Sequence, residues 1–143
     1  MSTTPSPSSL LPAPAAVRPP WPDELPRLAD AFPGLKWSTP LHLRVLVVPA
    51  TAASPERLVG LAAVAEPAPD ATEAALFLRL RARFTDTPAT DALLAEAIAL
   101  ARGLGARTLI TGQPAGPDPR EPALRRAGFT TTEDSKAWRI GLG

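Results

Sequence analysis

The apolar positions of this chain follow two different periods in turn. From Leu41 to Phe84 the pattern is that of extended chain. The segments Leu41–Val48 (LHLRVLVV), Arg57–Ala65 (RLVGLAAVA) and Ala74–Phe84 (AALFLRLRARF) are separated by short polar turns, as antiparallel neighbours require. The third segment alternates, with Leu76, Leu78, Leu80, Ala82 and Phe84 on one face and Phe77, Arg79, Arg81 and Arg83 on the other. From Ala89 the period becomes helical. Leu93, Leu94, Ala97, Ile98, Ala101 and Leu104 form one stripe over Ala89–Leu104. Thr87 suits the N-cap, Pro88 the first helical position, Asp91 the first turn and Gly105 the C-terminal stop. Arg107–Thr111 (RTLIT) reads as a short buried strand. A second helix is expected over 119–127, with Asp118 and Glu121 as its capping pair and Gly128 closing it. Phe129–Leu142 reads as a last β segment, bent near Glu133-Asp134-Ser135. Ahead of the strands, residues 21–32 read as a short helix with Pro22, Asp23 and Glu24 at its start. Its stripe is Leu25, Leu28, Ala29 and Phe32, and Pro33-Gly34 ends it.

The predicted order is helix, three strands, helix, strand, helix, strand. A strand–helix–strand passage needs a crossover, so that pair is parallel. The fold class is therefore α/β (α+β), a mixed, mostly antiparallel sheet with one βαβ unit and helices on both faces.

Composition sets the limits. A chain of 143 residues is one domain's length. Ten of the 19 prolines lie in the first 40 residues. Residues 1–20, of which 13 are Ser, Pro or Ala, therefore read as a disordered tail, and 21–143 as the single domain. The net charge of +1 argues against nucleic acid or an anionic membrane as the main partner. The absence of Cys and Tyr and the single His remove thiolate chemistry, phenolic acids and multi-His metal sites, so no metal is expected. No apolar run reaches the length needed to span a bilayer. Residues 1–11 carry no Lys or Arg, unlike a secretory signal, and a cytoplasmic setting is the expectation.

The run Leu93-Leu94-x3-Ile98-x2-Ala101-x3-Gly105, then Thr108-Leu109-Ile110, then Ala123-Leu124-x3-Gly128-Phe129, resembles the GNAT acetyltransferases over residues 41–142. The resemblance implies acetyl-CoA as acyl donor and an amine as acceptor, with the pantetheine arm lying between two splayed parallel strands. It also implies a turn of the form (Arg/Gln)-x-x-Gly-x-(Gly/Ala) before the long helix, where backbone N–H groups meet the diphosphate. That turn falls on Thr85-Asp86-Thr87-Pro88-Ala89-Thr90. The cofactor-binding candidates are accordingly Phe84, Thr85, Thr87, Ala89, Thr90 and Asp91, together with Gln113 at the open end of the parallel pair. Here Thr85 stands for the basic or amide residue, and Pro88 and Thr90 stand for the two glycines. Pro88 removes one N–H, and Asp86 and Asp91 bring negative charge. These residues suit an ordinary helix start better than a phosphate cradle. The Tyr that serves as acid in many relatives maps to Leu124, so catalytic residues are not identified. A general base would have to be a carboxylate such as Glu73 or Glu66, either of which reads more readily as a solvated side chain. Two functions follow from the resemblance. One is transfer of an acyl group from acetyl-CoA to a small-molecule or peptide amine. The other is a catalytically inactive binding or dimerisation module of the same fold.

Other residues change this little. Arg79, Arg81 and Arg83 read as a strand-face arginine ladder, either anion-contacting or solvated. His42 has no companion ligand in view. Trp37 and Trp138 read as packing residues whose indole N–H needs a partner. Arg125-Arg126 lacks interleaved aromatics. Glu133-Asp134 is an acidic pair that would attract an amine or simply form a turn. A short closing strand would leave a sheet edge that invites a second copy.

Overall fold

The computed structural model describes residues 15–32, 41–114, 116–131 and 136–143. The expectations for residues 1–14, for Pro33-Gly34, for Trp37 and for the Glu133-Asp134-Ser135 bend lie outside them. Six strands form one sheet in the order β1-β2-β3-β4-β5-β6. They are β1 (Ala16–Arg18), β2 (Leu41–Val48), β3 (Arg57–Ala65), β4 (Glu73–Leu80), β5 (Thr108–Gly112) and β6 (Ala137–Gly141). Three helices join them: α1 (Leu25–Ala31), α2 (Pro88–Gly103) and α3 (Glu121–Ala127). Among the described strands only β4 and β5 are parallel, and α2 is their crossover. The mixed α/β architecture read from the sequence is the observed one.

The hydrophobic residues divide between the two faces of the sheet. On one face Leu46, Val64, Leu76 and Leu78 pack against Leu93, Leu94, Ala97 and Ala101 of α2 and against Ala123 and Leu124 of α3. On the other face Leu43, Val45, Val47, Leu61 and Ala63 pack against Leu28 of α1, with Phe32 beside them. The stripe expected on α1 is thus only partly buried, because Leu25 is exposed.

Most boundaries differ by a few residues from the sequence reading, β6 is confined to Ala137–Gly141 of the expected Phe129–Leu142, and three differences change the packing. Ala16–Arg18, assigned by composition to the tail, pairs with Val47–Val45 as β1. Val17 packs on the core, and the Arg18 guanidinium binds Glu24 at 2.7 Å and Glu56 at 2.6 Å. β4 ends at Leu80 rather than Phe84. Residues Ala82–Phe84 turn into a 3-10 coil that drives Phe84 into the core. The three-arginine ladder is therefore absent: only Arg79 lies on the strand, stacked 5.1 Å from the Phe77 ring. Finally, α3 begins at Glu121, and the Asp118 side chain accepts from the Arg120 N–H instead of capping the helix.

The register explains a gap in the sheet. β4 and β5 pair only from Glu73↔Thr108 to Ala75↔Ile110. Beyond that point β4 stays with β3 as far as Leu80↔Gly60, while β5 stays with β6 as far as Gly112↔Ala137. Each strand follows its antiparallel partner, and the parallel pair forks.

Candidate functional site

The fork opens into a cleft of about 490 Å³. Its apolar walls come from Leu76, Phe77, Leu78 and Leu80 of β4, and Thr111, Gly112 and Gln113 close the β5 side. Thr85, just ahead of α2, reaches its rim.

One side chain crosses it. Arg120, from the loop before α3, donates from Nη1 to Leu78 O of β4 at 3.1 Å and to Thr111 Oγ1 at 3.3 Å. From Nη2 it donates to Gly112 O of β5 at 2.6 Å. Asp118 completes the set, accepting from Nε at 3.0 Å and from Nη2 at 2.8 Å. The Asp118 side chain is 5% exposed and that of Arg120 12%. Trp138, buried on β6, donates its indole N–H to Asp118 Oδ2 at 3.0 Å, which is the partner its polar edge requires. Burial pushes the Asp118 carboxyl up, but the hydrogen bonds from Arg120 and Trp138 outweigh it and hold the group below its ordinary range.

The start of α2 is closed by its own residues. Thr87 Oγ1 accepts from the Thr90 N–H at 3.1 Å, and Thr90 Oγ1 accepts from the Thr87 N–H at 3.1 Å. The Thr90 hydroxyl donates to Phe84 O, so its single proton is spent there, and the 2.8 Å contact between the two hydroxyls is donated by Thr87. The Asp91 N–H donates to Thr87 O at 3.1 Å. Pro88 has no N–H, which leaves Ala89 as the one first-turn residue with a donor outside this cap. The two carboxylates at the turn share one cation from α3: Arg126 meets Asp86 at 2.5 Å and Asp91 at 3.0 Å. These two contacts raise the Arg126 pKa, that with Asp91 more strongly.

The residues singled out in the sequence thus divide. Thr85 and Gln113 line the cleft. Phe84, Thr87, Thr90 and Asp91 belong to the cap, and Ala89 packs on the core beneath it. The Gln113 amide donates to Thr131 Oγ1 at 2.9 Å. Leu124 is fully buried. Neither carboxylate considered as a base lies in the cleft: Glu73 pairs with Arg139 at 2.9 Å, and Glu66 lies 4.0 Å from His42. Arg120 was missed altogether. Its only trace in the sequence is the Asp-x-Arg spacing in the loop before α3, because three of its acceptors lie on other elements. Among the described residues no cluster of acids and His could hold a metal, and no helix is long and apolar enough to cross a membrane.

No family model matches the sequence, and no curated protein matches it significantly. Solved structures do match in shape. One, assigned to the GNAT acetyltransferases of Desulfovibrio desulfuricans, superposes with a TM-score of 0.62 at 16% identity, over 91% of this chain and 100% of that one. An N-acetyltransferase from Staphylococcus aureus gives 0.62 at 13% identity, over 92% and 100%. A domain from Methanocaldococcus jannaschii gives 0.64 at 10% identity, over 90% and 99%. At these identities the likeness is one of fold, and the chain has the fold of the GNAT N-acetyltransferases.

Proposed function

We propose that the chain is a non-catalytic binding module built on this fold. The observation that carries the reading is the reciprocal Thr87–Thr90 cap. A carrier attached through a diphosphate needs free N–H groups and no nearby negative charge at the helix start. Here the Thr90 and Asp91 donors are used internally, Pro88 has none, and Asp86 and Asp91 stand on either side of the turn. Acetyl-CoA does not fit these residues in the way the fold's relatives lead one to expect, and no transfer step is derived through it.

The other reading, acyl transfer from acetyl-CoA to an amine, is favoured by one observation: a cleft lies at the fork beside α2. Orientation alone gives large accelerations in acyl transfer, so the absence of a Tyr does not by itself exclude it. The two readings predict different responses to acetyl-CoA. A ligand that binds the folded state raises the melting temperature by mass action. The module reading expects no shift at millimolar acetyl-CoA. A saturable rise, with acylation of a primary amine, would establish the transferase instead.

A further inference from the structure

We infer that the wall of the cleft between β4 and β5 is a guanidinium-binding site, and that the chain occupies it with its own Arg120. The inference stands on the geometry of the cleft and does not depend on whether the protein is a transferase.

The acceptors come from three places in the fold. Leu78 O belongs to β4, Thr111 Oγ1 and Gly112 O to β5, and the two Asp118 oxygens to the loop before α3. A guanidinium carries five N–H donors in a planar fork. The five contacts use all of them: one on Nε, two on Nη1 and two on Nη2. A point-like ammonium has three donors and could not span two strands and the carboxylate together. The site supplies one buried negative charge, itself fixed from behind by the Trp138 indole, and so it balances one cation. An anion would meet the Asp118 carboxylate and the strand carbonyls. To bond the same acceptors, a neutral amide arm would have to displace a charge-assisted network that leaves no donor unmet.

The guanidinium also does the work of the missing ladder. β4 and β5 exchange no strand pairing after Ala75/Ile110, yet Arg120 joins a carbonyl of one to a carbonyl of the other. The fork is pinned from within by a side chain that forms part of the cleft wall.

The test uses the full chain and methylguanidinium as probe, with N-methylurea as the neutral control of like shape. Arg120→Met keeps the aliphatic stem and removes the five donors. It is expected to melt about 10 °C lower than the parent, a loss consistent with a buried carboxylate left unpaired. Millimolar methylguanidinium should restore roughly 5 °C at ten times its dissociation constant. The parent should show no such gain, N-methylurea should give none, and Arg120→Met with Asp118→Asn should lose the rescue. Absence of a saturable rescue, equal rescue by N-methylurea, or acetyl-CoA binding by Arg120→Met in place of rescue would overturn the proposal. Acetyl-CoA binding by the parent would overturn the module reading and leave this result standing. If the variant does not fold, the parent itself decides. Arg120 held at both Nη atoms should show separate guanidinium nitrogen resonances at 25 °C, and a single averaged signal would contradict the site.

Discussion

Thr87 and Thr90 hold each other across the first turn of α2, each hydroxyl accepting from the other's backbone N–H at 3.1 Å. The arrangement is a capping box in which Thr takes the place usually given to Glu or Gln. It also ties the helix to the preceding coil through Phe84 O. Thr87→Ala removes one acceptor and one donor at a helix start that packs on the core. It should cost about 1–2 kcal/mol, measured by urea unfolding, while Thr87→Ser should keep most of the stability. A neutral effect of Thr87→Ala would mean that the turn is not built as described.

Asp118 sets an acid limb of stability. Its carboxyl is held below the ordinary 3.8: burial pushes it up, and hydrogen bonds from Arg120 and Trp138 pull it down by more. Glu24 is held below 4.5, chiefly by Arg18. A carboxyl with a depressed folded pKa stabilises fully above its unfolded value, and that contribution is lost as pH falls through the folded one. Stability should therefore be level near neutrality and decline below about pH 5. Asp118→Asn should be less stable at pH 7, with the difference from the parent narrowing toward pH 2. Urea titrations at the two pH values read this directly, and a difference that widens in acid would contradict the assignment.

Gly128 closes α3 with φ +108°, in the left-handed region where a side chain is strained. A Cβ there would also come within 3.2 Å of Ile140 Cδ1. Gly128→Ala should cost about 1–2 kcal/mol from the backbone alone. The same substitution at Gly103, which lies within α2 with open space around it, should be neutral or slightly stabilising. Comparing the two by thermal unfolding separates backbone strain from composition.

Arg18 anchors β1, the short edge strand. Its guanidinium meets Glu24 and Glu56 and lies 4.6 Å from the Trp21 ring. Arg18→Ala should release β1 before the rest of the sheet, at a cost of about 1–3 kcal/mol for hydrogen bonds to charged groups. Amide hydrogen exchange should show protection lost at Ala16–Arg18 and kept in β3 and β4.

What the sequence revealed follows from how each element is buried. β2 and β3 have the boundaries read from the pattern, because each is an apolar run buried on both faces between polar turns, and α2 differs only at its ends, because it buries one stripe. The pattern overran at β4: Ala82 and Phe84 keep the alternation after the chain has left the sheet, so parity alone could not mark the end. β1 was hidden for the opposite reason. Three residues in a Pro- and Ala-rich stretch carry no periodic signal, and they are a strand because β2 offers them an edge. The cap at Thr87 was legible because capping is local chemistry. The Arg120 network was not, since its acceptors include backbone carbonyls of Leu78 and Gly112, and a backbone carbonyl leaves no mark on residue identity.

A calorimetric titration of acetyl-CoA into the full chain tests the central claim most directly. The closed helix start predicts no saturable heat up to millimolar ligand. A saturable isotherm, weakened when Thr85 or Gln113 at the rim of the cleft is changed to Ala, would show that the cofactor enters after all and would contradict the account.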